Sequence, residues 1–138
     1  MRRLHAWAAI AWVIAIIVQV YLAGQAIGNL GGSGNFETHI GVGYTIGIIQ
    51  LVVLILAVVA KLPRRDIQVA AGILVLYIVQ TLLPGFKSGS PVIAALHPLN
   101  AMILFTLSVW YARRAWRAAA APAQTMAPGP AEVASKVG

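Results

Sequence analysis

The stretch from His39 to Ala60, HIGVGYTIGIIQLVVLILAVVA, runs without an Asp, Glu, Lys or Arg and stops at Lys61-Leu62-Pro63-Arg64-Arg65. Coiled into a helix at 1.5 Å per residue, it reaches about 33 Å, enough to cross the roughly 30 Å of bilayer hydrocarbon. It lacks the strict alternation of a membrane β-strand, and only helices or closed barrels satisfy their backbone within lipid. The stretch therefore reads as a transmembrane helix ended by a basic, proline-containing turn.

Three more runs of the same kind flank it, so that the spans are expected at about 5–28, 39–60, 67–83 and 92–112. The first gives way to Asn29-Leu30-Gly31-Gly32-Ser33-Gly34-Asn35, a flexible loop by its turn chemistry. The third is closed by Pro84-Gly85 and followed by Lys87-Ser88-Gly89-Ser90-Pro91, and the fourth meets Arg113, Arg114 and Arg117. The first run follows Arg2-Arg3 as a secretory signal would, but about 20 apolar residues exceed the 7–15 of a signal's central region, so an uncleaved span is expected. Residues 1–117 form one all-α, integral-membrane four-helix bundle on this reading. Residues 118–138, rich in Ala and Pro with Met126 as the one large apolar residue apart from valines, are expected to be a disordered tail.

Composition agrees. Hydrophobic residues make up 60% of 138 positions and charged residues 9%, against about 45–50% and about 25% in soluble domains; mean hydropathy is +0.85. With no cysteine, disulfides, thiolate metal sites, iron–sulfur clusters and cysteine nucleophiles are excluded. The net charge of +7 is not a nucleic-acid footprint, because the Lys and Arg sit at the ends of apolar runs rather than in a basic patch. It is a topology signal. With the N-terminus inside, nine basic residues (Arg2, Arg3, Lys61, Arg64, Arg65, Arg113, Arg114, Arg117 and Lys136) face the cytoplasm and Lys87 alone faces outward. Trp7, Trp110, Tyr111 and Trp116 fall near that same boundary, where amphipathic rings settle. The expectation is an N-in/C-in, multi-pass protein of a bacterial cytoplasmic membrane.

Polar residues within spans face the bundle interior or a cavity, where they pair. Here they are Gln19 and Gln25, His39 and Gln50, Gln68 and Gln80, and His97 and Asn100. His39 and His97 open the second and fourth spans at their outer ends, and so share a leaflet. His39, Gly43, Gly47 and Gln50 lie on one helical face, as do His97, Asn100, Ala101, Leu104 and Ser108. Small residues beneath each imidazole leave room for a flat group. Two histidines from diagonal helices can supply both axial ligands of a b-type haem. Counted from Lys61 and Arg113, however, the two histidines differ in depth by roughly 9 Å. The residues alone also allow a packing role, since Gly43 and Gly47 make a G-x-x-x-G pair. Gln80 falls in the same leaflet, where it could touch a cofactor edge or bond another helix. Glu37 is available to accept from His39 or to pair with Lys87. His5 stands beside Arg2 and Arg3 with no evident partner. No phosphate loop, nucleophile–base pair or carboxylate pair is present, so no catalytic residue is assigned.

The segments Glu37-Thr38-His39-Ile40-Gly41 and Leu96-His97-Pro98-Leu99-Asn100-Ala101 resemble one four-helix half of the haem A synthase family, in which each bundle carries a histidine pair on its second and fourth helices near the outer face. The chain also resembles a group of small, uncharacterised four-helix bacterial membrane proteins that share the His-x-Leu-Asn-Ala-type opening of the last helix. The resemblance implies His39 and His97 as axial ligands, with Glu37 in the place of an acidic residue before the first histidine. The chain departs from the synthases in having one bundle, a shorter Glu-to-His spacing and no outer-loop cysteine pair, so the resemblance extends to haem binding and not to haem A synthesis. Two functions follow as expectations. The first is a small b-type cytochrome or haem-binding subunit with haem b held by His39 and His97, lined by Gly43, Gly47, Gln80 and Asn100. It would serve electron transfer or redox or gas sensing with a redox partner or quinone, alone or as a homo- or hetero-oligomer. The second is a cofactor-free accessory subunit or small permease element.

Overall fold

The computed structural model describes residues 1–121. Helix α1 (Arg2–Ala26) forms the first span. The second is α2 (Glu37–Thr45) followed by α3 (Gly47–Val59). The third is α4 (Arg64–Leu82), extended by a 3-10 turn over Leu83–Phe86. The fourth is a short α5 (Pro91–Ala94) and then α6 (Leu96–Ala120). Four helical segments, Arg2–Ala26, Glu37–Val59, Arg64–Phe86 and Pro91–Ala120, are long and apolar enough to cross a membrane, and no strand occurs among the described residues. The all-helical, four-span architecture expected from the sequence is therefore present. α1 packs on α3 and α6, and α4 packs on the same two helices. The spans thus form a ring in which the second and fourth stand on one diagonal and the first and third on the other.

Burial is distributed as lipid solvent requires. Large side chains such as Val20, Ile48, Val75 and Met102 point outward, while the interior holds Ala6, Ala9, Ala57 and Ala70 around Trp12, Val53, Ile73 and Leu104. In water such a surface would be one continuous apolar patch; in hydrocarbon it has no cost, and small interior residues let the helix backbones approach. The buried polar groups, His5, Gln19, Gln50, Asp66, Asn100 and Ser108, all turn inward.

Several boundaries differ from those read in the sequence, each for a local reason. The third span starts at Arg64 rather than 67, because Pro63 caps it and Asp66 sits in its first turn, where a carboxylate meets the positive helix end. The preceding turn closes in a Schellman pattern, Leu62 N–H to Ala57 O and Lys61 N–H to Val58 O, with Lys61 left-handed at φ 49°. α6 continues through Ala120, so the segment assigned from 118 to a disordered tail begins as helix; residues 122–138 lie outside the described residues. The short break at Ala95, between α5 and α6, follows from Pro98, which has no N–H to give the Ala94 carbonyl.

The break in the second span has a more consequential origin. At Ile46 the helix is interrupted, in a stretch carrying Gly41, Gly43 and Gly47 and the hydroxyl of Thr45, which donates back to Val42 O at 2.9 Å. Such back-bonding bends helices. The freed carbonyls of Gly43 and Tyr44 accept from the hydroxyl of Tyr77 on α4, at 2.8 and 3.1 Å. A ring from the third span is thus built into the backbone of the second.

Candidate functional site

The end of the bundle carrying the 28–36 and 83–95 connections holds a polar cluster to which all four spans contribute. On the fourth span, His97 Nδ1 lies 2.9 Å from Gln80 O. A carbonyl only accepts, so Nδ1 carries the proton and Nε2 keeps its lone pair. That lone pair receives the Gln80 side-chain amide, Nε2 to Nε2, at 3.1 Å. Asn100, one turn below His97, donates to Gln80 Oε1 at 2.7 Å and to Leu76 O at 3.0 Å. Gln80 thus holds His97 and Asn100 together.

On the second span, His39 Nδ1 lies 3.1 Å from Gln19 O of α1, a bond made by the tautomer protonated at Nδ1. With its side-chain nitrogen facing His39, Gln19 donates to His39 O at 3.0 Å and its Oε1 accepts from Gly43 N at 2.9 Å. In that orientation the amide also lies 3.0 Å from His39 Nδ1, a contact that becomes a hydrogen bond in the tautomer protonated at Nε2. Phe36 packs edge-on against the imidazole, with ring centres 6.1 Å apart.

The two histidines meet across the diagonal: their ring centres are 6.2 Å apart and their planes stand at 80°. The depth mismatch inferred from the basic residues disappears once α4 is used as a ruler. Gln50 Nε2 donates to Ala70 O, and Gln80 contacts His97. Ten residues separate Ala70 from Gln80 and eleven separate Gln50 from His39, roughly 15 and 16 Å of rise. Both imidazoles come out at one level.

Of the residues singled out in the sequence, His39, His97, Gln80 and Asn100 are brought together here. Gly43 and Gly47 lie on the same side, but the room they leave is taken by protein. A Cβ at Gly43 would sit 3.4 Å from the end of the Gln19 side-chain amide, and one at Gly47 would collide with the Tyr77 ring. The groove expected at this pair is filled rather than open. Glu37 neither pairs with Lys87 nor bonds His39; its Oε2 accepts from Asn35 Nδ2 at 3.2 Å and its backbone N–H donates to Asn35 Oδ1 at 2.7 Å, closing the loop ahead of α2. No group of three or more His, Cys, Asp or Glu side chains arranged to hold a metal occurs among the described residues. A metal here would have the two imidazoles as its protein ligands.

Tyr77 is the member that sequence reasoning missed, while Gln19, expected to face the interior, had no partner legible from its own helix. Tyr77 precedes Gln80 by three positions and so shares its face, which was the available signal. Below the cluster, Tyr77 meets Trp12 edge-on at 5.5 Å, and Trp12 Nε1 donates to Ser108 Oγ at 2.9 Å. Gln50 is fully buried with its Oε1 lacking a partner. At the opposite end, His5 is not the isolated residue its sequence context suggests: it is buried and Nε2 lies 3.0 Å from the Tyr111 hydroxyl.

No curated protein and no solved structure matches this chain. Residues 19–86, which include Gln19, His39, Tyr77 and Gln80 but stop short of His97 and Asn100, match the model of a family of unknown function, DUF6220.

Proposed function

We propose that this chain is a small membrane b-type cytochrome, or the haem-binding subunit of a larger assembly, with His39 and His97 as the axial ligands of one haem b. The observation that carries the reading is the meeting of two imidazoles from diagonal spans with ring centres 6.2 Å apart. A metal–imidazole bond of about 2 Å on each side, with about 1 Å more to each ring centre, requires about 6 Å. The tautomers support it as well. An Nδ1 proton directed at the Gln80 carbonyl orients the His97 ring and leaves its Nε2 as the ligating atom, and the Nδ1-protonated form of His39, bonded to the Gln19 carbonyl, does the same, a frequent arrangement for metal-bound histidine. Gln80 must turn its side-chain amide away from His97 Nε2, and Asn100, already bonded to Gln80 Oε1, is placed to hold it aside. Haem b bound between two imidazoles supplies one-electron exchange with a quinone or a protein redox partner, and the absence of an open coordination position favours this over gas binding.

Titration of haemin into the purified apoprotein in detergent tests the reading. The Soret absorbance should rise to a breakpoint near one haem per chain, and that breakpoint should vanish in the His39→Ala/His97→Ala double variant. A featureless titration of the folded wild-type chain would refute it.

A second reading is favoured by the closed bonding of Gln80, His97 and Asn100 and by the filled glycine face: the cluster then locks four helices in register and binds no cofactor. Under either reading we place both termini on the cytoplasmic side of a bacterial inner membrane, from the charge asymmetry. Single cysteines at Ser33 and Ser88 should react with an impermeant maleimide in intact cells, and one at Ser135 should not; labelling at Ser135 reverses the orientation.

A further inference from the structure

The end of the bundle opposite the histidine pair contains a second group of ionisable side chains, drawn from three spans and arranged around a cavity of about 150 Å³. His5 of α1 and Tyr111 of α6 are both buried and bonded to each other at 3.0 Å. Asp66, buried in the first turn of α4, accepts from Arg114 Nε at 2.7 Å. Pro63 and Ala115 supply apolar wall.

We infer that this cavity is a binding site for a six-membered ring bearing oxygen, of the quinone or hydroquinone class. Three observations point there. The volume is that of a cavity known to accept one benzene ring. The polarity is directional: if His5 Nε2 donates to Tyr111, the tyrosine hydroxyl hydrogen is spare, and if Tyr111 donates to Nε2, the Nδ1–H of His5 is spare. Either tautomer leaves one donor for a ring oxygen. Where that donor is the Nδ1–H of His5 it is not sealed in protein, because it has no partner and yet Oε1 of Gln50 is the one fully buried side-chain polar atom without a partner among the described residues. Charge bears on the choice of ligand as well. The Arg114 guanidinium is already paired with Asp66, and although Arg2 also lines the cavity, the Asp66 carboxylate in the wall opposes a phosphate group. A neutral ring meets no such penalty, and in its reduced form its hydroxyl can donate to the Asp66 carboxylate. The pairing of a lipid-soluble ring with a site at the end of a membrane bundle favours a tailed quinone over a soluble phenol. The site is independent of any cofactor at the histidine pair.

The test uses the full chain in phosphatidylcholine nanodiscs, with decylubiquinone as probe and tryptophan fluorescence as readout. Trp7 and Trp116, edge-on to each other at 5.1 Å at this end of the bundle, report on the cavity. Saturable quenching is expected. Ala115→Leu, which fills the space, should weaken it at least tenfold, and so should at least one of Tyr111→Phe and His5→Phe, which remove the two alternative donors. Tail-less hydroquinone should compete more weakly than decylubiquinol; equal competition would move the source to soluble phenols and overturn the tailed-quinone assignment. Quenching that stays linear with quinone in the membrane, or an unchanged midpoint in both folded Tyr111→Phe and folded His5→Phe, would overturn the proposal. Displacement of bound probe by phosphatidylglycerol at stoichiometric levels would also overturn it, in favour of a lipid headgroup. Should Ala115→Leu fail to fold, Tyr111→Phe and His5→Phe decide.

Discussion

If His39 and His97 hold a haem as proposed, His97→Ala is expected to abolish its six-coordinate, low-spin state. The imidazole of His97 is held on both nitrogens by Gln80 and faces His39 at 6.2 Å between ring centres, and no other described histidine lies at that end of the bundle to replace it. The variant also leaves the Gln80 amide without its partner, a loss of about 1–3 kcal/mol for a buried donor, so folding must be verified separately by thermal denaturation. Gln80→Leu separates the two readings more sharply. If Gln80 Nε2 occupies the lone pair that iron requires, removing the amide should preserve or raise haem affinity while shifting the reduction potential through the altered surroundings of His97. If the cluster is only a lock between helices, Gln80→Leu and His97→Ala should destabilise the bundle alike and neither should matter to haem. His5→Ala, at the far end, should leave the haem spectrum unchanged.

The second large effect is expected at Gly47. Any side chain there meets the Tyr77 ring, and that ring cannot retreat without withdrawing its hydroxyl from the carbonyls of Gly43 and Tyr44 and breaking its contact with Trp12. Overpacking costs about 1–3 kcal/mol and each lost hydrogen bond about 1 kcal/mol, against a gain of about 1 kcal/mol from replacing a helical glycine by alanine. Gly47→Ala should therefore lower the unfolding midpoint clearly, and Gly47→Leu should compromise folding. Gly43→Ala should be milder, because its Cβ would meet only the end of the Gln19 side chain at 3.4 Å. Tyr77→Phe should fall between them. Thermal denaturation in detergent ranks the series; a Gly47→Ala protein as stable as wild type would show that Tyr77 does not fix the break in the second span.

Hydropathy reports the solvent, and lipid solvent leaves four spans easy to count. Helical spacing reports faces, and it placed His39 and His97 toward the interior from opposite corners. Depth was misjudged because the marker was wrong: Lys61 and the arginines have long stems that reach to the interface from several positions, whereas hydrogen bonds between helices fix level within about a residue. The partners of Gln19, the role of Tyr77 and the Asp66–Arg114 pair were not legible because each depends on the rotation of one helix against another, which no single run of residues encodes. The glycines illustrate the same limit. G-x-x-x-G announces a close approach, but only the structure identifies Gln19 and Tyr77 as the groups that approach.

The absorption spectrum of this chain purified from haem-sufficient cells, oxidised and then reduced with dithionite, decides whether His39 and His97 hold a haem b. A Soret band with sharp b-type bands on reduction is expected, lost when both histidines are replaced by alanine. A folded protein with no Soret band, or one whose band is unchanged in that double variant, would contradict the assignment.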